Sequence, residues 1–358
     1  MAAGDLLNDV YNNTGKSAQC LYICDNVYTI FHFIVTIGAF GILAVVGLVS
    51  NLVSMVIYAT VGLKDSMSVS LFALSFTDFA ASVIQSMMAA TYLASEIYPS
   101  CPVDLQVIAF VFMGWSLNAG HLISCWLTAF ISVERCLCVV APFRVKQIFT
   151  VQRTVIMLLV IYLIHVATLL PVFISETMQW VSLDDSKNLN SNISNEREMQ
   201  YTVIFTDFSD AVETAVDITT SMFLFTVSQL VLVICSTLLT CALKASSSVR
   251  LRSSDSVDSL LQTRKRRSKL SIQEKKLIRM VLSLAVLQMA CNVPRLSLIV
   301  FYNAYPGIGA DDRDFAEVIW APASVFINIG CTANTFCYYF LNSSYRKVFK
   351  HMTGLKSK

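Results

Sequence analysis

Residues 122–142 read LISCWLTAFISVERCLCVVAP. From Leu122 to Val133 there is no charge and large apolar side chains dominate; then Glu134 and Arg135 arrive together, and Pro142 closes the run. A helix that is apolar all round and stops on charged residues reads as a membrane span meeting the interface at its foot. Traced backwards, the apolar block begins near residue 105, so the span covers about 105–139, ample for a hydrocarbon core about 30 Å thick. The same reading along the chain gives spans near 30–59, 67–94, 154–175, 218–243, 276–301 and 318–341. Composition agrees: the 358 residues are 55% hydrophobic and only 14% charged, against about 25% charged in ordinary soluble domains. The mean hydropathy is +0.62. The expected fold is an all-α membrane protein, a seven-transmembrane helix bundle.

Orientation comes from the basic residues. Of 26 lysines and arginines, 21 fall at the foot of span three or in the connections on one side, whereas the other side holds Lys16, Lys187, Arg197 and Arg313. The positive-inside rule then puts residues 1–29 outside the cell and the C-terminus in the cytoplasm. Acidic residues run the opposite way, with 18 of 24 outside. The segment 1–29 lacks the short basic start and apolar core of a cleavable signal peptide, so span one is expected to act as an uncleaved anchor. The resulting plan is an extracellular segment 1–29, a seven-span bundle 30–341 with a long cytoplasmic loop at 244–275, and an interfacial helix with a short tail at 342–358. Sequons at Asn12 and Asn192 fall on the outer face and are candidate glycosylation sites. A net charge of +2 gives no support to a nucleic-acid partner. Most of the eleven cysteines lie within apolar blocks and no CxxC metal pattern occurs, so no metal is expected; only Cys20, Cys24 and Cys101 sit in polar flanks.

Several polar residues would not be kept on a lipid-facing helix. Asp78, mid-span in LSFTDFAAS, costs roughly 2.5–3.5 kcal/mol at a bilayer centre and must face the bundle interior. It reads either as a cation or proton site or as a protonated structural carboxyl, with Asn51, Ser124 and Asn334 as companions. Glu274, at the start of span six, offers Arg135 a second carboxylate on the same face. A tie between spans three and six is therefore expected, and a tie worth about 1.4 kcal/mol would shift a two-state equilibrium about tenfold. In CNVPR of span six, Pro294 removes a backbone hydrogen bond and makes the helix a kinked lever. Arg295 beside it must face an aqueous cavity or a partner. With Asn118 and His121 across from it, it reads as an anchor for a ligand carboxylate or a peptide's polar end, or else as an internally paired charge. The stretch SSYRKVF after span seven alternates apolar and basic residues at helical spacing and is expected to rest on inner-leaflet lipid. In the 244–275 loop, RKRRSKLS presents Ser268 and Ser271 to basophilic kinases, or lays a basic strip on anionic lipid.

Together these residues resemble the rhodopsin-like (class A) family of G protein-coupled receptors from about residue 30 to 352. GLVSN with Asn51 is similar to the family's span-one motif, Leu74 to Asp78 to its LxxxD, and Glu134-Arg135-Cys136 to its (D/E)RY. CNVP is similar to CWxP and NTFCY to NPxxY, and YFLNSSYRKVF closely matches the family's segment C-terminal to NPxxY. The wording AFISVERCLCVVAPFRVKQIFTVQRT resembles divergent invertebrate, molluscan receptors for peptides or chemosensory ligands. The resemblance implies G protein coupling and switching through Glu134, Arg135, Glu274, Pro294, Asn334 and Tyr338. It implies a sodium ion at Asp78, Ser124 and Asn334, with no other cofactor, and a ligand pocket around Leu117, Asn118, His121, Asn292, Arg295 and Asn328. The implied partners are an extracellular peptide or small molecule, a heterotrimeric G protein, arrestin, kinases and membrane lipid; the implied place is the plasma membrane.

Departures from the family pattern are specific. Asn292 stands where the ligand-sensing tryptophan is usual, Thr335 replaces the proline of NPxxY, Tyr162 replaces the tryptophan of span four, and span five lacks its proline. Leu117 replaces the aspartate of amine receptors and Asn328 the retinal lysine of opsins. Phe110 holds the place of the usual span-three cysteine and the 176–217 loop has none, so the family disulfide cannot form; Cys101 with Cys20 or Cys24 is the substitute considered. Three other readings stand beside the receptor. A receptor-like protein with weak coupling is suggested by Asn292 and Thr335. A transporter or channel would use Asp78 and Arg295 as an ion path, but no internal repeat is evident. An enzyme is not expected, because neither HExxH nor GxSxG occurs.

Overall fold

The computed structural model describes residues 25–141, 148–182, 199–252, 272–305 and 313–354. Helix α1 runs through Asp25–Phe31, a π-helical stretch His32–Ala39 and Phe40–Val61. Helix α2 is Ser66–Ile97, started by Asp65, whose carboxylate accepts from the Ser68 N–H. Helix α3 runs through Leu105–Ile108, a π-helical stretch Ala109–Gly114 and Trp115–Val140. Helix α4 is Val151–Ser175, capped by Thr150. Helix α5 runs through Asp207–Asp217, a π-helical stretch Ile218–Leu224 and Phe225–Arg252. Helices α6 (Ile272–Ala304), α7 (Arg313–Leu341) and α8 (Ser343–Met352) follow among the described residues.

Among the described residues, six helices are long and apolar enough to cross a membrane by length and composition; α7 is the seventh member of the bundle. The helices close a ring in which α1 packs on α2, α2 on α3, α3 on α5 and α6, α6 on α7, and α7 back on α1. α4 lies against α2 and α3. Its other face shows Ile156, Leu159, Leu163 and Val166 exposed, an arrangement that costs nothing against hydrocarbon. The largest apolar core lies toward the α8 end, where Leu74, Leu127, Ile131, Val281, Leu284 and Tyr338 are fully covered. The helical parts of α5 and α6 extend to Arg252 and begin again at Ile272, inside the segment expected to be loop at 244–275.

Between α4 and α5 the chain forms a hairpin that the sequence did not announce. Strands β1 (Thr177–Ser182) and β2 (Met199–Ile204) are antiparallel, with Trp180 opposite Tyr201. The hairpin is tied to the start of α3 by backbone bonds: Tyr201 N–H donates to Pro102 O at 2.7 Å and Asp104 N–H to Tyr201 O at 2.9 Å. Asp104 adds its side chain, accepting from the Val107 N–H as a cap and from Thr202 Oγ1 at 3.3 Å. This joint stands where the absent disulfide would act. Cys101 lies beside this joint; Cys20 and Cys24, the partners considered for it, lie outside the described residues. So do Asn12, Asn192, Lys187, Arg197, Ser268 and Ser271.

Candidate functional site

Asp78, 1% exposed, sits at the meeting of three helices. Ser124 Oγ of α3 donates to one carboxylate oxygen at 2.8 Å and Asn334 Nδ2 of α7 to the other at 2.8 Å. Both are companions that the sequence pointed to. Asn51 of α1 is also fully buried, but its side-chain amide makes no hydrogen bond among the described residues. Tyr162, in place of a tryptophan, bonds α4 to α2 through Ala73 O and Thr77. An indole has only one donor and no such acceptor.

The expected tie of Arg135 to Glu274 is not formed. Arg135 Nη2 donates to Glu134 Oε1 at 2.9 Å instead. The adjacent carboxylate needs no reach across the bundle, and Glu134, only 2% exposed on its side chain, holds it under cover. Higher in α6, Gln288 and Asn292 both turn to α3, donating to the Cys125 sulfur at 3.0 and 3.6 Å. Asn292 also donates to Gln288 O at 2.8 Å. A polar clasp thus fills the place of an aromatic ring, one turn from Pro294 inside the helix.

At the α8 end the departure at Thr335 acquires a role. Its Oγ1 lies 3.0 Å from Ser54 Oγ and donates to Ser50 O at 3.2 Å, joining α7 to α1. Ser54 Oγ lies 3.0 Å from the hydroxyl of Tyr345 on α8. Tyr58, Tyr338 and Tyr345, all buried, stack around this point with ring centroids 5.4–5.8 Å apart. Asn342 caps α8, accepting from the Ser344 and Tyr345 N–H groups. Tyr345 lies in the family-like YFLNSSYRKVF, but Ser54 carries no motif, and their approach to Thr335 in three dimensions was not legible.

A cavity of about 630 Å³ opens toward the hairpin end, within the range of small-molecule sites. Of the residues expected to line it, Leu117, Asn118, His121 and Arg295 do so. Asn328 instead pairs its side-chain oxygen with His121 Nε2 at 3.1 Å, linking α7 to α3. Asn292 is engaged with α3 as described. Each of the three π-helical stretches contributes to the wall, through Thr36, Phe110 and Ser221; wide turns of this kind are frequent at functional sites. Arg295 is 7% exposed, its Nη2 donating to Ser221 Oγ at 3.1 Å and its guanidinium lying 4.9 Å from the Phe225 ring centroid. The Ser221 hydroxyl in turn donates to Asp217 at 2.6 Å. Ser221 and Asp217 stand four apart on α5, one helical turn from each other. Nearby, Trp115 Nε1 donates to Glu213 at 3.0 Å. Glu176, the residue after α4, lies beside Glu213 and Asp210; burial, then the negative charge of Glu213, pushes its carboxyl up to about 7.

The chain finds no match among curated proteins. The profile of the family described as 7 transmembrane receptor (rhodopsin family) matches residues 50–343. That range spans Asp78, Arg135, α6 with its internal Pro294, and nearly all of α7, all within a ring of seven helices. The chain is therefore a multi-pass membrane protein that belongs to the rhodopsin family of seven-transmembrane receptors.

Proposed function

We propose that the protein is a plasma-membrane receptor, N-terminus extracellular, that takes a peptide or small chemosensory ligand into the cavity and activates a heterotrimeric G protein. One observation supports this reading above the others: a single helix, α6, lines the cavity with Arg295 and grips α3 with Asn292 and Gln288. Moving Arg295 pulls on that clasp, and Pro294 lets the far half of the helix swing. The far half borders the Glu134–Arg135 pair, where a G protein would enter. A ligand can drive the swing only by its differential affinity for the two states, about 5.5 kcal/mol for a change from 1:99 to 99:1.

A sodium ion would be held by Asp78, Ser124 and Asn334. The donor set suits a small hard cation, because Asp78 supplies buried anionic oxygens and Ser124 a hydroxyl oxygen; bound there, the ion would favour the inactive packing. Arg346, Lys347 and Lys350 on α8 suit contact with anionic lipid. Ser268 and Ser271 remain candidate kinase sites, with arrestin as the reader of the phosphates.

The test is nucleotide exchange on a panel of purified heterotrimers, with the receptor in lipid nanodiscs. Glu134→Gln removes the charge that holds Arg135 and is expected to raise the exchange rate several-fold without ligand. Failure of both the native and the variant receptor to accelerate exchange on any heterotrimer would contradict the coupling.

A further inference from the structure

The reading of the cavity as a ligand site leaves open what the ligand is, and the chemistry of its wall narrows this. From the described surroundings we infer that the cavity selects a compact ligand with an apolar body and one carboxylate, the carboxylate seated on Arg295. This deepens the proposed receptor role and rests on it.

Arg295 is a cation taken out of water without a carboxylate of its own. It is buried, and it forms no salt bridge among the described residues. Its Nε has no hydrogen-bond partner among them. Its two contacts, the Ser221 oxygen and the face of Phe225, are neutral. Burying a guanidinium on neutral partners is costly, and the geometry keeps donors of a planar fork unspent, which is the shape that meets a carboxylate side by side. Asp217 does not discharge this duty. It is exposed at the same end of the cavity, its negative charge acts on Arg295 without touching it, and its hydrogen bond goes to Ser221, whose single hydroxyl proton it accepts. That bond has a positional effect: with its proton committed to Asp217, Ser221 presents only lone pairs to Arg295, so the guanidinium is held in place at the α5–α6 end of the cavity.

The rest of the wall is of the opposite character. Its apolar residues include Phe40 of α1, Met88 of α2, Leu117 of α3, and Trp320 and Ile327 of α7. Opposed to the cation, these side chains offer no partner to a second charged group. Of the other titratable groups in the wall, His121 is already bonded to Asn328 and Asp217 to Ser221. The 630 Å³ volume admits an ordinary small molecule. An apolar body in this lining gains by leaving water, and the carboxylate fixes its direction.

The experiment uses the full receptor in nanodiscs and a homologous series of ω-phenylalkanoates. Each acid is compared with its methyl ester, its primary amide, the matching phenylalkylamine and the α-amino acid of the same skeleton. Binding is read as the concentration-dependent rise in thermal unfolding midpoint, which gives an apparent Kd. At least one acid is expected to bind about tenfold or more tightly than its ester, amide, amine and amino-acid counterparts, the size of effect a charge-assisted bond supplies. Arg295→Gln is expected to abolish that preference while Lys64→Gln, an exposed charge in the α1–α2 turn, preserves it. The acid-to-ester comparison needs no variant, so misfolding of Arg295→Gln would not spare the inference. Absence of binding by every acid to about 1 mM, equal binding of acid and ester, or tighter binding of the amine or amino acid would overturn it. Nucleotide exchange by Glu134→Gln needs no ligand; if it persists while the acids fail, the ligand class is wrong and the receptor reading stands.

Discussion

Asp78 and Arg135 show how differently two buried charges can be satisfied. Asp78 draws its donors from two other helices, Ser124 on α3 and Asn334 on α7, whereas Arg135 turns to the residue before it. The first arrangement was legible because a mid-span carboxylate has to collect the polar residues at its own depth. The second was not, because the sequence places Glu134 and Glu274 at one end of the bundle without saying which is nearer. Replacing Asp78 by Asn preserves size and hydrogen bonding but removes the charge that would hold sodium. Wild-type receptor is expected to unfold at a higher temperature in sodium chloride than in choline chloride, and Asp78→Asn to lose that difference while staying folded. An equal sodium effect in the variant would take Asp78 out of this role. Glu176 gives a second residue-level expectation. Its carboxyl, raised from 4.5 to about 7 in the folded chain, binds its proton more tightly folded than unfolded. Its stabilising contribution is therefore full below about pH 4.5 and is lost as pH rises through about 7. The unfolding midpoint should fall across that window, and Glu176→Gln should flatten the fall; identical pH profiles would show that Glu213 and Asp210 do not act on it.

Elements were legible where a period or a block of composition marks them. All seven spans stand out as apolar runs, and α8 by its alternation of basic and apolar residues. The β1–β2 pairing was missed because TMQWVS and MQYTVI are short, and β2 also bonds to Pro102 and Asp104, partners far away in the sequence. The π-helical stretches were invisible for a similar reason: they keep the apolar composition of the helices they interrupt. In α5, which lacks the family's proline, the wide turn Ile218–Leu224 brings Ser221 to the cavity wall. Thr335 is the clearest case of a departure explained by its element. A proline would have no hydroxyl; threonine uses one to fasten α7 to α1 at Ser50 and Ser54, and through Ser54 to Tyr345 of α8. Hydrogen bonds of this kind contribute about 0.5–1.5 kcal/mol each, so loss of both shifts a two-state balance by on the order of tenfold. Thr335→Val, which keeps the shape and drops the hydroxyl, is expected to raise ligand-independent nucleotide exchange several-fold. Unchanged exchange at equal receptor density would mean that the fastening carries no weight in the switch.

On the scale of the whole molecule, charge and cavity divide the work. Eighteen of 24 acidic residues lie in connections on the side proposed to be extracellular, and 21 of 26 basic residues on the other, a distribution that sets orientation. Between the two faces, contact passes through a small number of polar junctions: Arg295 with Ser221, Asn292 and Gln288 with Cys125, Asp78 with Ser124 and Asn334, and Thr335 with Ser54. Each joins two or more helices, so a displacement of α6 at the cavity is resisted or released at every junction rather than absorbed locally. The central claim is that α6 pivots about Pro294 to open the end of the bundle beside Arg135. The most direct measurement is the distance between spin labels at Gln152 on α4 and Lys276 on α6, two exposed positions, by pulsed electron resonance in nanodiscs. The account predicts one dominant distance in the resting receptor and a second, longer population in Glu134→Gln bound to nucleotide-free G protein. A single distribution, unchanged by the variant and by the G protein, would contradict it.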